Sequence, residues 1–167
     1  DPSWQLRHLS PSGDGADAPH RLGLKRAVDE LCGTAAPAKL LAIAGAVHET
    51  AAGPALVAAP EYAAYPDFKI NVEHEQELIE THDRIVLQFP FYWYSSPALL
   101  KQWEDDVIKA GWAYGGGRAL EGKEFMLAVS TGSPADSYTR EGSHVRTMEE
   151  LLSPFETTFR HTHATYL

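Results

Sequence analysis

Arg84–Pro97 reads RIVLQFPFYWYSSP, and this stretch decides the fold. Arg84 to Phe89 is a compact apolar run of the kind that a parallel strand buried on both faces requires. Four aromatics in succession follow, Phe91 to Tyr94. Ser96-Pro97 then launches a helix, with serine expected as N-cap and proline at the first helical position. That helix runs through ALLKQWEDDVI, with Trp103 turned inward, and Gly111 ends it. Upstream, Val72 to His82 (VEHEQELIETH) reads as a short polar helix with Leu78 and Ile79 inward; its glutamates 73, 75, 77 and 80 read as a solvated face, as do Glu104, Asp105 and Asp106. Downstream, Phe125 to Ser130 (FMLAVS) is a second apolar strand. Thr147 and Glu150 then form a capping box for MEELLSPFETTFRHT, in which Pro154 is expected to bend or locally break the helix. Helix, strand, helix, strand, helix is the rhythm of an α/β domain with a parallel sheet.

In an open parallel sheet, ligands bind outside the carboxyl ends of the strands. Two such ends stand out. After the first strand come Pro90 to Tyr94; after the second come Thr131-Gly132-Ser133-Pro134. Aromatics just before a helix N-terminus form a flat apolar wall with backbone N–H groups nearby, which suits a planar heterocycle with polar edges. Core packing or an oligomer interface is the competing reading of the same run.

The 167 residues suffice for one domain with a substantial core. Fourteen basic against 23 acidic side chains leave a net charge of −9, which argues against electrostatic binding to nucleic acid or anionic membrane. Leu40 to Val47, a long apolar run, falls well short of the ~20 residues of a spanning helix, so no membrane insertion is expected. The one cysteine, Cys32, has no internal partner for a disulfide, which fits a cytoplasmic setting. Of the 7 tyrosines, 6 phenylalanines and 4 tryptophans, only Trp4 precedes Tyr62, so the core is expected mainly from the second stretch. The chain thus divides into an atypical Ala/Gly/Pro-rich segment, 1–61, and a second domain, 62–167. Within the first, Ser10–Pro19 reads as loop, Arg21–Leu31 as a helix, and Lys39–Val47 as either a buried strand or a helical segment.

Five stretches carry a family resemblance: Tyr65-Pro66-Asp67-Phe68, Gln88–Val107, Trp112–Lys123, Ser130–Val145 and Leu151–Phe159. Through them, from about Tyr62 to Leu167, the chain resembles the flavodoxin-like NAD(P)H dehydrogenase (quinone) family, which includes DT-diaphorase and the bacterial potassium-efflux ancillary reductases. The resemblance implies a flavodoxin-like three-layer α/β sheet, FAD or FMN as cofactor, NAD(P)H as co-substrate, and a homodimer with flavin sites at the subunit interface. It implies ping-pong transfer of hydride from NAD(P)H through the flavin to a small-molecule quinone. By the same resemblance, Pro90, Phe91, Tyr92, Trp93 and Tyr94 border the isoalloxazine, and Ser130, Thr131, Gly132 and Ser133 hold its pyrimidine edge. Ser133 stands where the family has a second glycine. Tyr138 and His144 match the catalytic tyrosine and histidine beside the flavin N1/O2 edge, while Tyr94 and Tyr114 match aromatic walls of the substrate pocket.

The family's opening strand, phosphate-gripping turn and following helix are not legible in residues 1–61. Ala46 to Thr50 is a poor phosphate loop, and too few residues follow it for a full helix and second strand before Tyr62. The chain stops at Tyr166-Leu167, where the family's last elements continue. The expectation is therefore a flavodoxin-like sheet incomplete at both ends. Two function classes stay open: the flavin-dependent quinone oxidoreductase, and a non-catalytic flavodoxin-like binding or regulatory subunit, for instance of a cation-efflux system, with weak or lost flavin binding. No metal site is expected, because His161 and His163 are joined by no cysteine or carboxylate cluster. Gly115-Gly116-Gly117 lacks the lysine and the strand–turn–helix setting of a phosphate loop and reads as a turn.

Overall fold

The computed structural model describes residues 64–167 and, before them, the backbone of 40–44 and 56–60. The segments Ser10–Pro19, Arg21–Leu31 and Ala46–Thr50, and Cys32, lie outside the described residues. Five strands form one parallel sheet: β1 (Leu40–Ala44), β2 (Leu56–Pro60), β3 (Arg84–Pro90), β4 (Glu124–Ser130) and β5 (Thr165–Tyr166). Their order across the sheet is β2-β1-β3-β4-β5. From β1 the chain moves one way to β2 and then returns past β1 to β3. The switch point of this doubly wound order lies between β1 and β3.

In the first 61 residues one open reading is decided and one expectation is overturned. The ambiguous run Lys39–Val47 contains a strand, Leu40–Ala44, which sits between two neighbours in the sheet. A second strand also precedes Tyr62: Leu56–Pro60 pairs in register with β1, from Leu40↔Leu56 to Ala44↔Pro60. Periodicity could not find either, because a five-residue apolar segment has no room to display one.

Three helices join the later strands: α1 (Val72–Glu80), α2 (Ala98–Val107) and α3 (Met148–His161). Asn71 caps α1 by accepting from the His74 amide. Helix α2 starts one residue later than expected, with Pro97 rather than Ser96 at the N-cap position and no side-chain cap bond. At α3 the capping box forms as read: the Glu150 amide donates to Thr147 Oγ1, and the Thr147 amide to Glu150 Oε2. Helix α3 runs unbroken through Pro154. Proline has no N–H to offer the Glu150 carbonyl one turn back, and the Ser153 hydroxyl donates to that oxygen at 2.8 Å instead.

β3 is buried on both faces. Ile85, Leu87 and Phe89 point into one cluster with Ile79, Leu100, Trp103, Phe125, Phe155 and Phe159, while Val86, which faces the other way, is equally buried. Phe125 stacks on Phe159 with ring centroids 4.1 Å apart, and Phe89 on Phe155 at 5.3 Å.

The acidic residues divide against expectation. Glu73, Glu77 and Glu80 are exposed, but Glu75 is buried: Tyr65 Oη donates to its Oε1 at 2.6 Å, and Trp103 Nε1 to its Oε2 at 2.9 Å. Glu104 is buried as well, beside Lys101. Burial pushes its carboxyl up to about 7, against the lowering pull of Lys101.

Candidate functional site

β3 and β4 end side by side, with Phe89 opposite Val129 and Pro90 opposite Ser130. The Phe91 amide donates to the Ser130 carbonyl at 2.8 Å, which carries the pairing one residue beyond the strands. The two loops marked out in the sequence therefore leave the sheet next to each other, beside its switch point.

The first loop is a tight hairpin. Tyr92 and Ser95 exchange two backbone hydrogen bonds of 3.0 Å, with Trp93 and Tyr94 between them at φ 48° and 63°. A two-residue turn with both central residues at positive φ is ordinarily built from Asn-Gly or Gly-Gly. A tryptophan and a tyrosine there are strained. The strain holds side chains outside the core: Trp93 is 93% exposed, Tyr92 55% and Tyr94 45%. Among the described residues the Trp93 and Tyr94 amides donate to no other group. An aromatic wall next to two uncommitted N–H groups is what a planar heterocycle with carbonyl and ring-nitrogen acceptors on its rim requires.

The second loop carries Thr131, Gly132 and Ser133, then a 3-10 turn at Ala135–Ser137, and returns over itself. Thr131 Oγ1 donates to the Ser133 carbonyl at 3.0 Å, closing the start of the loop. A side chain on exposed Gly132 would meet nothing within 4 Å, so its backbone stands open. Gly142 is required for close approach: a Cβ there would lie 2.3 Å from the Asp136 carbonyl oxygen. That approach lets the His144 amide reach the Ser137 carbonyl at 3.1 Å, which brings the imidazole back toward Tyr138.

Tyr138 and His144 do meet, with ring centroids 4.7 Å apart. Phe91 lies 6.1 Å from Tyr138 and 6.3 Å from Tyr94. Tyr94, expected to border the isoalloxazine and to wall the substrate pocket, also reaches His144, with Tyr94 Oη 3.1 Å from His144 Nδ1. No motif signals that link, since the two residues lie on loops 50 positions apart. Tyr114 is elsewhere. It follows α2 and precedes β4, at the amino ends of the strands, and its ring lies 5.4 Å from His161 at the end of α3. Within one chain it is not brought to Tyr94.

Comparison with known proteins agrees with this fold. Residues 33–167 match the family model Flavodoxin_2, described as flavodoxin-like fold, and the chain belongs to that family. It is 57% identical over 98 residues to the uncharacterized NAD(P)H oxidoreductase YrkL of Bacillus subtilis, covering 58% of this chain and 56% of that protein. Over the same length it is 52% identical to KefG, the glutathione-regulated potassium-efflux system ancillary protein of Pectobacterium carotovorum, covering 58% and 54%. The chain thus spans about half the length of the curated relatives it matches. Among solved structures, general stress protein 14 of Treponema denticola in complex with FMN superposes with a TM-score of 0.69 at 39% identity, covering 77% of this chain and 81% of that one. An NADPH-quinone reductase from P. pentosaceus gives 0.67 at 34% identity, covering 77% and 79%. No helix among the described residues is long and apolar enough to cross a membrane.

Proposed function

We propose that the chain is a flavin-dependent NAD(P)H:quinone oxidoreductase of the cytoplasm, working by a ping-pong cycle. The observation that carries this reading is the strained aromatic hairpin at the carboxyl edge of β3, set against the Tyr138–His144 pair at the carboxyl edge of β4. The likeness to general stress protein 14, solved with FMN, and to an NADPH-quinone reductase supports it. FMN is the cofactor we favour.

Bound at this edge, a flavin supplies a two-electron carrier that accepts hydride from NAD(P)H and passes it to a quinone. The protein's own contributions follow from its residues. Phe91, Trp93 and Tyr94 would give the ring an apolar face and shield it from water, and the Trp93 and Tyr94 amides would be available to its polar atoms. Tyr114 would wall the pocket only from a second copy of the chain. The Tyr138 hydroxyl, without a hydrogen-bond partner among the described residues, is free to donate where negative charge develops. Such a preorganised donor lowers the barrier more than it stabilises the resting state. His144, packed against that tyrosine, is placed to exchange a proton with it or with bound ligand.

Titration of the purified protein with FMN and with FAD, followed by visible absorbance and by reduction with NAD(P)H, tests this reading. A protein that takes up neither flavin overturns it and favours the second reading, a binding or regulatory subunit of a cation-efflux system, to which the likeness to KefG points. In the flavin-loaded protein, the double substitution Tyr138→Phe with His144→Ala should slow reduction roughly 10- to 100-fold and leave flavin content nearly unchanged.

A further inference from the structure

The contact between the two site loops carries an inference of its own, resting on the reading that His144 handles a proton. Tyr94 Oη lies 3.1 Å from His144 Nδ1, with the rings edge-to-face at 69° and centroids 5.2 Å apart. Tyr138 packs on the imidazole from another side at 4.7 Å, and the His144 amide is tied to the Ser137 carbonyl. The imidazole is thus fixed in place by groups from both loops. Tyr94 is itself fixed: it is held at φ 63° by the hairpin closed between Tyr92 and Ser95.

A neutral imidazole carries one proton, and the partner of one nitrogen decides which nitrogen holds it. A phenol is a better donor than acceptor, because its oxygen lone pair is delocalised into the ring. The pyridine-like nitrogen of imidazole is a good acceptor. We infer that Tyr94 is a positioning residue for His144: its hydroxyl donates to Nδ1 and holds the neutral imidazole in the Nε2–H form. The nitrogen that exchanges a proton with bound ligand is then Nε2. The strained hairpin gains a second task, since it sets the tautomer of a residue on the neighbouring loop as well as presenting an aromatic wall.

Heteronuclear NMR of protein labelled with ¹⁵N-histidine reads the tautomer directly, in the flavin-free protein and at a pH where His144 is neutral. The wild-type His144 should give a single Nε2–H form. Tyr94→Phe keeps the ring and should release the imidazole into a mixture of both tautomers. An Nδ1–H form in the wild type, or an unchanged tautomer in Tyr94→Phe, overturns the inference. In the FMN-loaded protein, Tyr94→Phe should slow reduction by NAD(P)H about 3- to 10-fold. In a His144→Ala background the same change should have no further effect. An equal loss in both backgrounds would assign Tyr94 to the pocket wall alone and overturn the positioning role. A wild type that is not reduced at all would sink the proposed function, and the NMR result would still decide the tautomer.

Discussion

Glu75 shows how much a single buried carboxylate can organise. Its two oxygens take one donor each, from Tyr65 ahead of α1 and from Trp103 on α2, so one side chain joins three segments. Glu75→Ala would remove the carboxylate that accepts from the Tyr65 hydroxyl and the Trp103 indole N–H, and we expect a loss of about 2–4 kcal/mol in urea unfolding. The same substitution in a Trp103→Phe background should be less costly than in the wild type, since one of the two donors is already gone. The sequence signal for this burial is spacing: Glu75 lies one turn before Ile79 and shares its inward face. Glu104 behaves differently, because its compensation is weak. Its folded-state value near 7 stands above the ordinary 4.5. The folded protein therefore holds a proton that the unfolded chain releases, and stability falls as pH rises from about 4.5 through 7. Glu104→Gln should melt higher than wild type at pH 8, with a gain on the order of 2 kcal/mol, and show no gain at pH 4.

Among elements, β3, β4, α1, α2 and α3 were legible because each advertises itself locally, by an unbroken apolar run, a cap or a 3.6-residue spacing. β1 and β2 were not, since LLAIA and LVAAP are too short and too plain to choose between strand and helix without neighbours. The hairpin after β3 was legible as a loop, but its backbone was not: no rule of turn chemistry places Trp93-Tyr94 where Asn-Gly belongs. The site divides in the same way. Phe91, Tyr94, Tyr138 and His144 lie together because all come just past two paired strand ends. Tyr114, chosen by the same resemblance, lies at the other end of the sheet, and sequence carries no sign of which edge a loop residue reaches. Conformational strain at the turn has a measurable counterpart. Trp93 buries almost nothing, so Trp93→Gly loses little packing and relieves one strained residue. We expect it to stabilise the flavin-free protein by about 1 kcal/mol in thermal unfolding and to weaken FMN binding in titrations. A destabilised Trp93→Gly protein would show that the turn is not under strain.

Taken whole, the molecule gathers exposed apolar side chains in and around its site loops. Tyr92, Trp93 and Tyr94 stand on the hairpin, and Val145 follows His144. Such a patch on one edge is the kind of surface that a partner covers. A second copy related by a two-fold axis would satisfy it, and would let Tyr114 of one chain serve the pocket of the other. We therefore expect a homodimer at micromolar concentration by light scattering, and Trp93→Glu should shift it toward monomer. A wild-type protein that stays monomeric at that concentration would remove the second copy from the site.

The place of β1 between β2 and β3 also bears on how the chain comes off the ribosome. β2 emerges soon after β1, but the strand on the other flank begins only at Arg84, which pairs with Leu40. Until then β1 has one open side, and the nascent chain carries an unfinished sheet with no β3 core to close upon. Parallel pairings across so long a separation form slowly, and their open edges are exposed to wrong partners meanwhile. The hairpin residues Phe91 to Tyr94 are thus synthesised just as the sheet first becomes able to hold together, whereas Tyr138 and His144 must wait for β4.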